Sequence, residues 1–199
     1  MAVNREPILK RCRYLGISPM VMGVAKEATF RNPDANKRKK VSEYGVQLKE
    51  KQKLKFIYGM LEKQFRHYFE LAEKMEGQAG ENLITLLESR LDNVVFRMGL
   101  ASTRRESRQL VSHGHFDVNG KRVDIPSYRV KPGDVITLRE NSKKSEKFKQ
   151  VIELTNGRLV PTWIDMNKEE STGKITRLPV KADLDYEIEE HLIVELYSK

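Results

Sequence analysis

The sequence predicts an α+β protein, a mostly helical first region followed by a smaller module of two helices and a basic β-hairpin sheet. Three observations predict it. Apolar residues recur near helical spacing between Ser42 and Leu71 and again between Leu83 and Met98. Short strand-like runs then flank Asn119-Gly120, the favoured pair for a two-residue turn. Charge also alternates in blocks: net +9 over 1–55, −3 over 56–88, +7 over 89–150 and −4 over 151–199.

The first forty residues read as irregular, because Pro7, Pro19 and Pro33 with scattered glycines interrupt any period. They end in Lys37-Arg38-Lys39-Lys40, which is either a solvated tail or an arm whose adjacent cations displace counterions from a nucleic acid. Ser42 is a helix cap, and Val46, Leu48, Leu54, Ile57, Leu61, Phe65, Phe69 and Leu71 follow at helical spacing. Gly59 weakens the middle of this stretch, so two helices or one bent helix both fit. Phe56, Tyr58, Phe65, Tyr68 and Phe69 read as core, with base stacking as the alternative.

Gly77-Gln78-Ala79-Gly80 is a break, and one further helix is predicted from near Glu81 until Gly99 stops it. On that helix Arg90 and Arg97, seven apart, are expected to point outward together. Thr103 with Glu106 makes a capping box for the short helix Arg104–Ser112. Arg104, Arg105 and Arg108 are read as one solvent face near its amino terminus, with Leu110 opposite as the anchor. Guanidinium forks beside a helix amino terminus suit phosphate oxygens; the plain alternative is a solvated helix paired through Glu106.

Phe116–Val118 and Val123–Ile125 are the predicted hairpin strands, with Lys121 and Arg122 making its tip basic. Pro126-Ser127-Tyr128 bends the chain away, and the turn Lys131-Pro132-Gly133-Asp134 leads into a strand at Val135–Leu138. Near the carboxyl end, Leu192, Val194 and Leu196 alternate with their neighbours and read as a half-buried strand. Glu187, Glu189 and Glu190 precede it, a cluster that phosphate repels and a basic protein partner accepts.

Composition narrows the function class. The 199 residues fit one or two domains; 39% are hydrophobic, below the average of about 45–50% for globular domains, and the net charge is +9. Such a chain has a large solvated surface and suits a polyanionic partner, nucleic acid first and an anionic membrane second. A membrane is set aside, since no run of ~18 apolar residues is present to span it, and the amino terminus lacks the apolar core of a signal peptide. The single cysteine, Cys12, makes no internal disulfide and fits a reducing cytosol.

Ser89-Arg90-Leu91-Asp92-Asn93-Val94-Val95, Arg108-Gln109-Leu110-Val111-Ser112-His113-Gly114-His115, Val118-Asn119-Gly120-Lys121 and Ile125-Pro126-Ser127-Tyr128 closely resemble the alpha-L RNA-binding module. The stretch from Ser42 to Lys53 and the ending from Glu190 to Lys199 look like the bacterial small-subunit ribosomal protein S-four family, so the resemblance runs from about Ser42 to the last residue. It implies an α+β chain divided into a helical rRNA-binding region with a basic amino-terminal arm at 1–88, continued by an extension at 151–199, with the alpha-L module inserted at 89–150.

It also implies a cytoplasmic structural constituent of the small ribosomal subunit. The family's role is primary binding of rRNA, nucleating assembly of the 16S five-prime domain. It implies a place for Lys37, Arg38, Lys39 and Lys40 beside the channel through which mRNA enters. It further implies an interface with protein S-five that influences translational accuracy; Glu187, Glu189 and Glu190 are, by their charge, the candidates for a protein partner. Candidate rRNA-binding residues are Lys10, Arg11 and Arg13; Lys49, Lys51 and Lys53; Arg90, Arg97, Arg104, Arg105 and Arg108; and His113, His115, Lys121 and Arg122. Many members hold zinc with four cysteines in the first forty residues; one cysteine cannot, so a zinc-free form without cofactor is expected.

Two other classes are weighed. The alpha-L module also decorates pseudouridine synthases, but the 61 residues after Leu138 are too few for their catalytic domain, and no phosphate loop or nucleophile elbow is present. A free-standing protein that rescues stalled ribosomes needs neither the long helical region nor the matching carboxyl end.

Overall fold

The computed structural model describes residues 7–26 and 42–198, so the basic run Lys37–Lys40 lies outside the described residues. The chain divides into two compact units, Met1–Leu83 with Asp185–Lys199, and Ile84–Leu184.

In the first unit, α1 (Ile8–Leu15) buries Cys12 and Leu15 and ends at Gly16. Ser18 then caps a 3-10 turn at Pro19–Met22, its hydroxyl accepting the Met20 N–H at 3.3 Å. Helix α2 (Glu43–Ile57) starts where expected, with Ser42 Oγ accepting the Gly45 N–H at 3.2 Å. Gly59, at φ +60°, decides for two helices. It lets the Met60 N–H reach back to the Lys55 carbonyl at 3.0 Å, closing α2 before α3 (Glu62–Glu73) begins. Phe65, Tyr68, Phe69 and Ala72 form the buried stripe of α3, and Phe56 and Tyr58 are also buried, so the aromatics are core.

The carboxyl end is a helix, α9 (Glu190–Tyr197), and not the expected strand. Apolar residues occupy five of its eight positions, so period two was only one of the patterns they fit. The one that won places Ile193 and Tyr197 on the inner face: Ile193 is fully buried and the Tyr197 ring stacks on Phe69 at 4.5 Å. Gln47 Nε2 donates to Glu195 Oε2 at 3.0 Å and the Tyr58 and Tyr186 hydroxyls share a 2.8 Å bond, tying this end to α2 and the residues after it.

The expected single helix over Glu81–Met98 is two, α4 (Ala79–Glu88) and α5 (Leu91–Arg97). Arg90 is extended between them and bridges Arg129. The backbone at Ser89, Leu91 and Asp92 bonds to Val130, Tyr128 and Pro126 at 2.8–3.1 Å, and this long-range pairing overrides helical periodicity. Helix α5 closes at Gly99 and α6 (Arg104–Ser112) follows.

The sheet order is β2-β1-β3-β5-β4, all antiparallel, from β1 (Phe116–Val118), β2 (Lys121–Arg122), β3 (Val135–Leu138), β4 (Ile164–Asn167) and β5 (Thr172–Ile175). Asn119 (φ 50°) and Gly120 (φ 76°) make the tight turn. The returning strand begins at once, pairing Val118 with Lys121, so it is Lys121–Arg122 where Val123–Ile125 was expected. Asn119 also donates to Asp134 and accepts the Val135 N–H, pinning the turn to β3. Helices α7 (Glu140–Lys143) and α8 (Glu146–Thr155) precede β4. Phe148, Trp163, Ile164 and Ile175 share one core with α5, α6 and β1. Residues 151–184 therefore belong with the hairpin module, and only the chain from Asp185 onward joins the first unit, a different division from the one the resemblance implied.

Candidate nucleic-acid interface

Helix α6 is set by its cap and its inner face. Thr103 Oγ1 accepts the Glu106 N–H at 3.2 Å, while the Glu106 carboxylate takes the Ser102 N–H at 2.9 Å, one residue earlier than a standard capping box. Burial works to raise the Glu106 carboxyl; the Ser102 hydrogen bonds and Lys147 outweigh it and hold it below its ordinary value. The buried positions are Arg104, Ser107, Leu110 and Val111.

Arg104 is thus on the wrong side of the helix for the face expected of it. It is 6% exposed, its Nε donates to Asn93 Oδ1 at 2.9 Å and its guanidinium lies 4.4 Å from the Phe96 ring centroid. Arg105 and Arg108 are half-exposed on the flank.

Arg90 and Arg97 are corrected in the same way. Neither points outward. Arg90 grips Asp92 through two bonds at 3.0 and 2.6 Å, and Arg97 grips Glu88 through two at 3.1 and 2.9 Å, all four side chains being buried. The break at Ser89–Arg90 turns both side chains inward, where a carboxylate two residues on or nine residues back neutralises them.

Beyond α6 the positive groups gather around a turn. His113 is exposed, and Gly114 (φ +72°) is covered by the Arg122 guanidinium, so that a Cβ there would collide with Arg122 Nε. Arg139 Nη1 donates to the Gly114 carbonyl at 3.4 Å, and its Nε lies 3.5 Å from Asp117. His115 Nδ1 shares a 2.9 Å bond with Ser142 Oγ, and the ring meets Phe148 edge-on at 5.3 Å. Lys147 reaches the Glu106 carboxylate at 3.5 Å. The potential of this group is read at His115, whose imidazole is held below its ordinary value first by burial, then by His113, Lys147, Arg122 and Arg139. Lys121 and Arg122 are exposed on β2.

Arg139 and Lys147 were missed in the sequence. The register Phe116↔Leu138 sets Arg139 opposite His115, a placement that follows from strand pairing rather than from any local motif.

In the first unit, Lys10 and Arg13 are exposed on α1, and Arg11 is half-buried with its guanidinium 5.9 Å from the Tyr14 ring. Lys49 is exposed on α2, but Lys51 is buried against Glu62 at 2.6 Å and Lys53 pairs with Glu50 at 2.7 Å. Burial works against the Glu62 charge, but hydrogen bonds from Lys51 and Lys55 prevail and bring its carboxyl to about 2. Lys51 therefore belongs to the internal packing. Glu187 and Glu189 are exposed; Glu190 starts α9 and lies against Gly80, where a Cβ would meet its Cγ at 2.5 Å.

A structural zinc needs four ligands. Cys12 is the one cysteine of the chain and is wholly buried, and among the described residues no group of three His, Cys, Asp or Glu side chains is placed to hold a metal. The residues do not fit a zinc site. Among the same residues, no helix is long and apolar enough to cross a membrane.

A basic turn between a short helix and a hairpin, with guanidinium and imidazole groups around backbone that a side chain would crowd, defines a nucleic-acid-binding α+β module. Comparison with known families gives it a place. Residues 89–136 match the S4 domain, and residues 4–88 match the ribosomal protein S4/S9 N-terminal domain. The small ribosomal subunit protein uS4 of Lachnospira eligens is 54% identical over the whole of both chains. That of Clostridioides difficile is 61% identical over 81% of this chain and 78% of its own. That of Fusobacterium nucleatum is 50% identical over the whole of both. The chain belongs to the uS4 family of small ribosomal subunit proteins.

Proposed function

We propose that the chain is a primary rRNA-binding protein that nucleates assembly of the 16S five-prime domain. Family membership makes it a structural, non-enzymatic constituent of the small ribosomal subunit, working in the cytoplasmic ribosome. The observation that carries the RNA reading is the gathering of His113, Arg122, Arg139 and Lys147 around His115, beside the helix that bears Arg105 and Arg108. Phosphate contacts of this kind orient a protein on folded RNA without reading its sequence. Lys10, Arg11, Arg13 and Lys49 extend the basic surface of the first unit. In this reading Lys37, Arg38, Lys39 and Lys40 face incoming mRNA, and Glu187 and Glu189 face a basic neighbour, protein S-five, through which the chain influences accuracy.

Two variants test the division of labour. R105A/R108A should weaken binding to a five-prime-domain RNA fragment and slow subunit assembly. Replacing Lys37–Lys40 with Ala should leave subunits assembled and impair only messages with hairpins. Equal losses of rRNA affinity in both variants, with no selective hairpin defect, would contradict it.

A further inference from the structure

Two guanidinium groups lie over the ring of Phe96, each 4.4 Å from its centroid: Arg104, the first residue of α6, and Arg158, in the loop after α8. Arg104 belongs to a chain of buried bonds. Its Nε donates to Asn93 Oδ1, Asn93 Nδ2 donates to Glu88 Oε2 at 2.7 Å, and Arg97 completes that carboxylate. Ser107, one turn on, donates its hydroxyl to the Asp92 carbonyl.

Arg158 closes the arrangement from outside. Its Nη1 donates to the carbonyls of Phe96 at 3.1 Å and Ala101 at 3.0 Å, and its Nη2 to that of Ser102 at 3.0 Å. The Phe96 carbonyl is at the end of α5, where the helix dipole favours a cation; those of Ala101 and Ser102 are in the connector to α6. Thr155 Oγ1 donates to the Gly99 carbonyl of the same connector.

The consequence is geometric. A helix whose first residue is locked inward has no freedom to turn about its axis. At ~100° per residue, fixing Arg104 fixes the directions of Arg105 and Arg108. Resting on the rRNA-binding reading above, we infer that Arg158 is a positioning residue for RNA binding. Through Phe96, Arg104 and the connector it holds α6 at the rotation that aims Arg105 and Arg108 at the RNA backbone. A planar fork with five donors spans three carbonyls and a ring face together; an ammonium does not.

The experiment uses the full chain with R158M, R158K and R105A/R108A. It measures thermal unfolding, the RNA-competent fraction by stoichiometric titration, and the slope of log affinity against log salt on a five-prime-domain rRNA fragment. A misaimed α6 loses two phosphate contacts at once. In R158M the slope should fall by about 1.4–1.8, and the affinity drop between 50 and 200 mM salt should shrink roughly tenfold.

R158K should lower the slope in the same direction, which separates positioning from a direct phosphate contact by Arg158, since that contact would survive as lysine. If R158M does not fold, R158K decides. A wild-type slope in the competent fraction of R158K overturns the inference and leaves Arg158 a stabilising residue alone. If R105A/R108A itself keeps the wild-type slope, the α6 reading fails; if only that variant lowers it, the positioning inference fails by itself.

Discussion

Replacing Glu88 with Leu should be among the most damaging single changes in the chain. The Glu88 carboxylate accepts two bonds from Arg97 and one from Asn93, and the paired side chains are 2% and 7% exposed. Removing it strands the Arg97 guanidinium away from water, which costs about 3–5 kcal/mol. That is a large share of a typical total stability of about 5–15 kcal/mol. Removing both partners in E88L/R97M deletes the stranded charge with its counterion, and should return the protein to within about 1–2 kcal/mol of wild type. Urea unfolding followed by Trp163 fluorescence reports on this unit, because Trp163 is the only tryptophan and is fully buried in its core. With a slope of about 1–3 kcal/mol per molar urea, E88L should lower the midpoint by about 1–5 M. A loss under about 1 kcal/mol in E88L, or a double variant as unstable as the single one, would contradict a buried charge held by Glu88.

Three further outcomes are expected. G114A places a Cβ against Arg122 at φ +72°; the left-handed backbone alone costs about 1–2 kcal/mol, so the midpoint of thermal unfolding should drop by at least about 2 °C, and an unchanged midpoint would contradict the placement of Arg122. The Glu62 carboxyl, lowered to about 2 in the folded chain, contributes stability that is fully present above its ordinary value and lost as pH falls toward 2; E62Q should flatten the decline of the urea midpoint between pH 5 and 3, followed by circular dichroism, and an equally steep decline would count against the Lys51–Glu62–Lys55 cluster. His115 is held below its ordinary value by burial and surrounding cations, so phosphate arriving there should raise it and RNA binding near pH 6.5 should take up a proton; calorimetry in buffers of different ionisation heat detects this, and wild type matching H115Q would rule it out.

Much of the fold was legible because it depends on local chemistry. Ser42, Thr103 and Gly99 act within four residues of themselves, and each ends or opens an element where the sequence placed it; Asn119-Gly120 turns the chain where expected. Three errors share a cause in long-range pairing. The bonds from 126–130 split a helix at Arg90, the docking of Tyr197 on Phe69 made a helix of an apparent strand, and β5 pairing with β3 drew residues 151–184 into the module. The candidate site was half legible for a related reason. Arginine spacing shows which residues share a face but not whether the face is inward. Arg90, Arg97 and Arg104 sit inside because Asp92, Glu88, Asn93 and Phe96 receive them, while Arg139 and Lys147 join the site only through strand register and the docking of α8.

On the proposed reading the chain holds folded rRNA mainly through its phosphates. The most direct test is a salt titration of the full chain on a 16S five-prime-domain fragment at fixed magnesium. With roughly six to ten phosphate contacts, affinity should fall by about 10³–10⁵ between 50 and 200 mM monovalent salt, on the duplex-DNA scale. A nearly flat titration would contradict the account.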